Sequence, residues 1–197
     1  MTGSRQSPAG FMSRIVQFML LKLYRMRGWQ VTGHAPQVKR AVIIAVPHST
    51  NWDFVNYLGL TNDLNVSTHF MAKDSLFRWP MGRFMRDMGG LSIDRSRKAN
   101  MVSQMADRFA AAETADQSLL LTIAPEGTRR AVTEWRSGFY RIATAAGVPV
   151  VPGWIDYDNR TGGLGEPITL TGDYLADMAR IVAFYRTVLP GLDLRLK

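Results

Sequence analysis

Residues 41–53 read AVIIAVPHSTNWD. The run AVIIAV is short, apolar throughout and stopped by a proline, which reads as a buried strand. His48 then falls at the carboxyl end of that strand, and Asp53 follows five positions on. Outward from this point, THFMA at 68–72 and SLLLTI at 118–123 read as further buried strands. VPVVPGWI at 148–155 reads as a fourth, broken by prolines. Between them lie helical patterns. Residues 100–115 carry Met101, Met105, Phe109 and Ala112 on one side, and 138–146 form a shorter pattern stopped by Gly147. Residues 174–189 turn Leu175, Met178, Val182 and Tyr185 inward before Pro190 and Gly191. Strands alternating with helices predict an α/β fold: a single layered domain with a mixed, largely parallel sheet flanked by helices. In such folds ligands bind at the carboxyl ends of the strands.

His48 and Asp53 would stand about 140° apart on one straight helix and would not face each other. They can meet if residues 48–51 form a turn and Asp53 lies in the first turn of a helix. A carboxylate on one imidazole nitrogen fixes the tautomer and raises the basicity of the other, which suits a general base for a hydroxyl. On spacing alone, a capping aspartate beside a structural histidine is the more ordinary reading. No cysteine exists in the chain, and Ser49 lacks a G-x-S-x-G elbow. The nucleophile would then belong to the substrate.

Three further strand ends carry cations. THFMA runs into Lys73, and the short strand in GGLSIDRS runs into Arg95. SLLLTI runs into APEGTRR, where Glu126, Gly127, Thr128 and Arg129 leave the strand in a turn. Gly127 allows a close backbone approach, Thr128 offers a hydroxyl, and Arg129 offers a fork that matches phosphate oxygens. These cations could converge on one anion beside His48, or simply punctuate the surface ends of strands.

The net charge of +8 is concentrated near the N-terminus. Residues 1–52 hold Arg5, Arg14, Lys22, Arg25, Arg27, Lys39 and Arg40 and no carboxylate. Within this block, residues 10–27 have helical periodicity, with Met12, Ile15, Val16, Met19, Leu20, Leu23 and Met26 on one face. Arg14, Gln17, Lys22 and Arg25 occupy the other. Arg14, Lys22 and Arg25 inside the run argue against a span, and the absence of a small-residue cleavage site argues against a signal peptide. An amphipathic helix of this kind fits docking on an anionic membrane surface, or packing on its own domain. Residues 1–30 thus read as a membrane-associating segment and 31–197 as the catalytic domain. A nucleic-acid partner is not expected, because the basic block is interleaved with Met and Leu and no recognition motif is present. Nor is a metal: the other histidines are His34 and His69, and H-x4-D is not a usual ligand spacing.

Taken together, these segments resemble the four blocks of the glycerolipid acyltransferase family, the lysophosphatidate and glycerol-phosphate acyltransferases. H-x4-D is HSTNWD at 48–53, G-x-x-x-I-D-R is GGLSIDR at 89–95, and E-G-T-R is 126–129 after Pro125. The apolar fourth block is VPVVP at 148–152, and KDSLFRWPMG at 73–82 matches a further family segment. All stand in family order. The resemblance implies O-acyl transfer from acyl-CoA or acyl carrier protein to a lysophospholipid hydroxyl, at the cytoplasmic face of the membrane, with no cofactor beyond the acyl donor. It implies His48 as base and Asp53 as its orienter. It also implies that Glu126, Gly127, Thr128 and Arg129 form the acceptor site, with Lys73 and Arg95 as further phosphate contacts. Pro47 stands where many members have Asn, and Arg130 where Ser often follows. These departures bear on the acceptor, which could be another lysolipid such as an amino-acid lipid or glycolipid. Unrelated readings are a non-catalytic lipid-binding or transfer protein and a lipid hydrolase that uses the same pair on water.

Overall fold

An apolar run in the middle of a sequence needs cover on both faces, and residues 40–46 find it at the centre of a sheet. The computed structural model describes residues 9–93, 98–128 and 134–192. In chain order the elements are α1 (Phe11–Met26), β1 (Gln30–Gly33), β2 (Arg40–Val46), α2 (Trp52–Asp63) and β3 (His69–Lys73). A 3-10 turn (Asp74–Phe77) leads to α3 (Gly82–Asp87), β4 (Gly90–Ile93), α4 (Lys98–Thr114) and β5 (Leu119–Ile123). The chain continues through α5 (Gly138–Ala146), β6 (Val150–Asp156), β7 (Thr161–Leu164) and α6 (Tyr174–Val188).

Among the described residues, seven strands form one sheet in the order β1-β7-β6-β2-β5-β3-β4. β2 lies parallel to β5 on one side and to β6 on the other. Strands β3 and β4 extend the parallel part, while β7 turns back antiparallel to β6 and carries β1. The mixed, largely parallel sheet expected from the sequence is therefore present. Its parallel strands end on one edge, so Val46, Lys73, Ile123 and Asp156 point the chain toward a common rim.

Alternation along β2 distributes its side chains to two cores. Val42, Ile44 and Val46 join Phe109 of α4, Phe139 of α5 and Tyr185 of α6. Ala41 and Ile43 face the other way, with Leu120, Val151 and Leu164. On this second side α1, α2 and α3 add two clusters, one around Tyr24, Trp29 and Val55 and one around Leu58, Phe84 and Met88. Gly147 stops α5 in the left-handed conformation, φ 64°, and its N–H caps the carbonyls of Ala143 and Thr144.

α1 forms where periodicity places it, and the structure divides its surface differently from a two-sided amphipathic pattern. Ser13 and Tyr24 are buried against the domain, and Tyr24 lies so close to Gly59 of α2 that a Cβ there would meet its ring at 2.2 Å. The stripe of Met12, Ile15, Val16, Met19 and Met26 is left exposed, with Phe11 and Phe18 beside it. The helix therefore packs on its own domain through one face and presents a second apolar face outward. No described helix is long and apolar enough to cross a membrane.

One buried hydroxyl ties α6 to the centre of the sheet. Tyr185, fully buried, aims its OH at the carbonyls of Ile44 at 2.8 Å and Gly153 at 3.0 Å. Tyr185→Phe should lower unfolding stability by about 1–2 kcal/mol, read as a drop in the urea midpoint with an unchanged slope. An unchanged midpoint would show that the bond adds nothing beyond the packing of the ring.

Candidate active site

Pro47 to Asn51 make the turn that links β2 to α2, and α2 begins at Trp52. Asp53 is thus the second residue of the helix, and its carboxylate folds back over the turn. Oδ2 accepts the N–H of Ser49 at 2.7 Å and of Thr50 at 2.9 Å, while Oδ1 accepts the Thr50 hydroxyl at 3.0 Å. That geometry closes the turn and brings His48 round, so that Nδ1 lies 3.1 Å from Asp53 Oδ2. The side chain of Asp53 is 8% exposed and that of His48 33%. The aspartate both ties down the turn ahead of the helix and partners the histidine, while the helix itself has no side-chain cap. With Nδ1 engaged, Nε2 is the nitrogen left for proton transfer.

A second donor comes from far along the chain. Tyr157, one residue past the end of β6, gives its phenol O–H to Asp53 Oδ1, and its oxygen also lies 3.2 Å from the Thr50 hydroxyl. Burial disfavours the Asp53 charge, but the bonds from His48, Tyr157 and Thr50 prevail and hold its carboxyl below the usual range. Burial and the bond to Asp53 push the Tyr157 phenol up to about 12. Its proton therefore stays on the phenol, as a donor must keep it. Tyr157 stands edge-on to Trp29, at 5.4 Å and 88°, which in turn stacks on Tyr24 of α1.

Glu126 reaches the same turn from the end of β5. Its two carboxylate oxygens lie 3.1 and 3.2 Å from the backbone N–H of His48. Burial pushes this carboxyl above its usual range, against the His48 N–H that favours the charge. Glu126 thus holds the backbone of the histidine. Gly127 follows with φ 65° and lies under Arg136, whose Cδ and Nε would be 2.7 Å from a Cβ at that position. Any side chain there would displace the guanidinium. The Arg136 backbone N–H is anchored on the Pro125 carbonyl at 2.9 Å.

Two cavities meet at His48. One of about 170 Å³ runs between the sheet and α2 and is walled by apolar groups such as Ile43, Leu60, Leu64, Phe70 and Leu164. The other, of about 330 Å³, lies toward α4 and α5 and includes Met101, Gly127, Arg136 and Arg141. One is greasy; the other has two cations in its wall.

The structure therefore brings His48, Asp53, Glu126 and Gly127 together. Thr128 follows in the same turn, half-buried. Lys73 ends β3 on the same rim, exposed, and lines neither cavity. Arg95 and Arg129 lie outside the described residues. Sequence reasoning overlooked Tyr157, Thr50 and Arg136 as site residues. Tyr157 carried a usable signal, since it follows a strand end next to β2, but its phenol sits in no motif. Among the described residues no group of three or more His, Cys, Asp or Glu side chains is disposed to hold a metal ion.

Comparison with known proteins points to a family. A family model described as Acyltransferase matches residues 28–156, well over half the chain, and takes in the His48 turn, the Glu126 turn and β6. A 1-acyl-sn-glycerol-3-phosphate acyltransferase of Haemophilus influenzae is 30% identical over an alignment of 142 positions that covers 66% of this chain and 55% of that protein. The chain spans about half the length of this relative. With the ordered blocks, the His48–Asp53 turn and a family match across most of the α/β domain all in agreement, the chain belongs to the glycerolipid acyltransferase family.

Proposed function

We propose that this protein transfers a fatty acyl group from a thioester, acyl-CoA or acyl carrier protein, to the free hydroxyl of a lysophospholipid of the 1-acylglycerol-3-phosphate type, in phospholipid synthesis or remodelling. The observation that carries the proposal is the meeting of two unlike cavities at an oriented His48. An acyl thioester needs an apolar slot for its tail, and a phosphate-bearing acceptor needs cations. The slot under α2 follows a 12-residue helix, about 18 Å of length. Arg136 and Arg141 line the second cavity. Arg129, the arginine of E-G-T-R, is the motif's own phosphate contact.

In this mechanism the acceptor hydroxyl attacks the thioester carbonyl carbon while His48 Nε2 takes its proton. The tetrahedral intermediate collapses, the C–S bond breaks, and the imidazolium returns the proton to the departing thiolate. Asp53 holds the tautomer that leaves Nε2 unprotonated and stabilises the imidazolium. Tyr157, Thr50 and two backbone N–H groups hold Asp53. Glu126 holds the backbone of His48. A chain without cysteine forms no acyl-cysteine enzyme, and a thiolate departs readily, so direct transfer between bound substrates suffices. The exposed apolar stripe on α1 and the cations of that helix support peripheral docking on an anionic membrane surface. The family resemblance supports the cytoplasmic face.

The deciding experiment supplies a labelled acyl thioester with a panel of lysolipids and identifies the acylated product by mass. Phosphate-bearing lysolipids should be acylated, and free fatty acid as the main product would make the protein a hydrolase. His48→Ala should cost roughly two or more decades of turnover while lipid binding persists; near-normal turnover would overturn the mechanism. Tyr157→Phe should lower kcat by about tenfold with KM for the thioester unchanged, and should cost nothing further in an Asp53→Asn background. Independent, additive losses would mean that Tyr157 does not act through Asp53. Arg136→Ala should raise KM for a phosphate-bearing acceptor by about tenfold and leave a neutral acceptor unaffected. Equal losses with both would remove Arg136 from the phosphate site.

A further inference from the structure

The loop that follows β3 presents apolar side chains that neither core uses. Leu76, Trp79 and Met81 are 44%, 93% and 47% exposed. Single exposed hydrophobic residues are ordinary, but three within six positions, beside an exposed helix face, make a patch. The loop is built rather than slack. Phe77 between them packs into the cluster of Leu58, Phe84 and Met85. Its carbonyl accepts from Arg86 at 3.2 Å, and the Gly82 N–H bonds back to the Arg78 carbonyl at 2.8 Å. The fold thus turns Phe77 inward, half-buried, and holds Trp79 out.

α1 stands on the same foundation. Leu20 of α1 packs on the cluster that Phe77 enters, and the Gly10 N–H ahead of α1 bonds to Asp87 of α3 at 3.0 Å. Exposed cations accompany both pieces. Lys73, Arg78, Arg83 and Arg86 surround the loop, and Arg14, Lys22 and Arg25 lie along α1. Asp74 and Asp87 pair with Arg78 and Arg83 only at 3.7 Å, with the arginine side chains 78% and 73% exposed. Such pairs are weak enough for an anionic surface to compete. An exposed tryptophan among cations is suited to the headgroup layer, where its ring enters the acyl boundary and its N–H stays wet. A second copy of the chain would meet this face with like charge.

We propose that the loop of residues 76–81 is a second membrane anchor, seating with α1 on an anionic bilayer and holding the catalytic rim of the sheet at its surface. The loop begins where β3 ends, at Lys73, so its seating brings that rim to the interface. The proposal rests on the reading of α1 as a bilayer-docking helix.

The lack of cysteine makes the test clean. Trp79→Cys and, as a control on the opposite edge of the sheet, Ser118→Cys each carry one environment-sensitive fluorophore. Each is mixed with phosphatidylcholine vesicles with and without phosphatidylglycerol, at low salt. The dye at 79 should shift to the blue and brighten only with anionic vesicles, and the dye at 118 should stay silent. Trp79→Ala should weaken partitioning into those vesicles by about tenfold, as expected for losing part of the transfer energy of one large aromatic. If the unlabelled protein sediments with vesicles while the dye at 79 does not respond, α1 docks alone and the loop proposal falls. If it does not sediment at all, the docking reading of α1 falls with it. A blue shift without vesicles that grows with protein concentration would assign the loop to contact between copies and overturn the proposal.

Discussion

A buried carboxylate at the mouth of the central strand organises this molecule. Asp53 closes the turn between β2 and α2 by accepting two backbone N–H groups and a hydroxyl from the residues just before the helix. The same closure presents His48 Nδ1 to the same oxygen. Local folding and orientation of the histidine are thus one interaction. This is why a structural aspartate and one that orients a histidine could not be told apart by spacing: here they are the same group. The cost of burying the charge is met by convergent donors, so removing one partner disturbs both the turn and the histidine.

Around this turn the neighbouring strands contribute unequal parts. β5 delivers Glu126 to the backbone of His48, β6 delivers Tyr157 to Asp53, and β2 carries the histidine itself. The parallel register that sets these strand ends level is therefore part of the site. Helix layers on opposite faces of the sheet then make two different cavities that share His48, Met71 and Ala124. One sheet edge can in this way bring a greasy ligand and a charged one to a single nitrogen.

Much of this was legible in the residues. AVIIAV and SLLLTI appear as strands because both faces of each are buried and no polar residue interrupts the run until its end. The pattern at 138–146 gives α5 because Gly147 terminates it in a left-handed turn. β1 and β7 were not legible: QVTG and TGGL are four residues each and have no apolar run, and their pairing depends on neighbours far away. α2 was not read as a helix beyond the first turn its aspartate requires, since buried Asp53, Asn56 and Gly59 interrupt its apolar pattern. The periodicity of α1 revealed the helix but not which side packs, because small and polar Ser13 and Gln17 face the domain beside Tyr24. In the site, the residues of H-x4-D lie within one short stretch, 48–53, and those of E-G-T-R within another, 126–129, so each reads as a motif. Tyr157 and Arg136 belong to the site through tertiary packing alone.

The sequence distances within the site imply an order of assembly. Asp53 finds Ser49 and Thr50 four and three residues away, so that turn can close as soon as the segment leaves the ribosome. The Glu126 bond to His48 spans 78 residues and the Tyr157 bond spans 104. Closing loops of that size requires parallel strands with intervening helices to dock first, a slow class of contact. A nascent chain that ends before β6 therefore carries the His-Asp turn without Tyr157. Full bracing of the aspartate is a late event in the life of the chain, and bond-forming competence is in this sense a marker of completed folding.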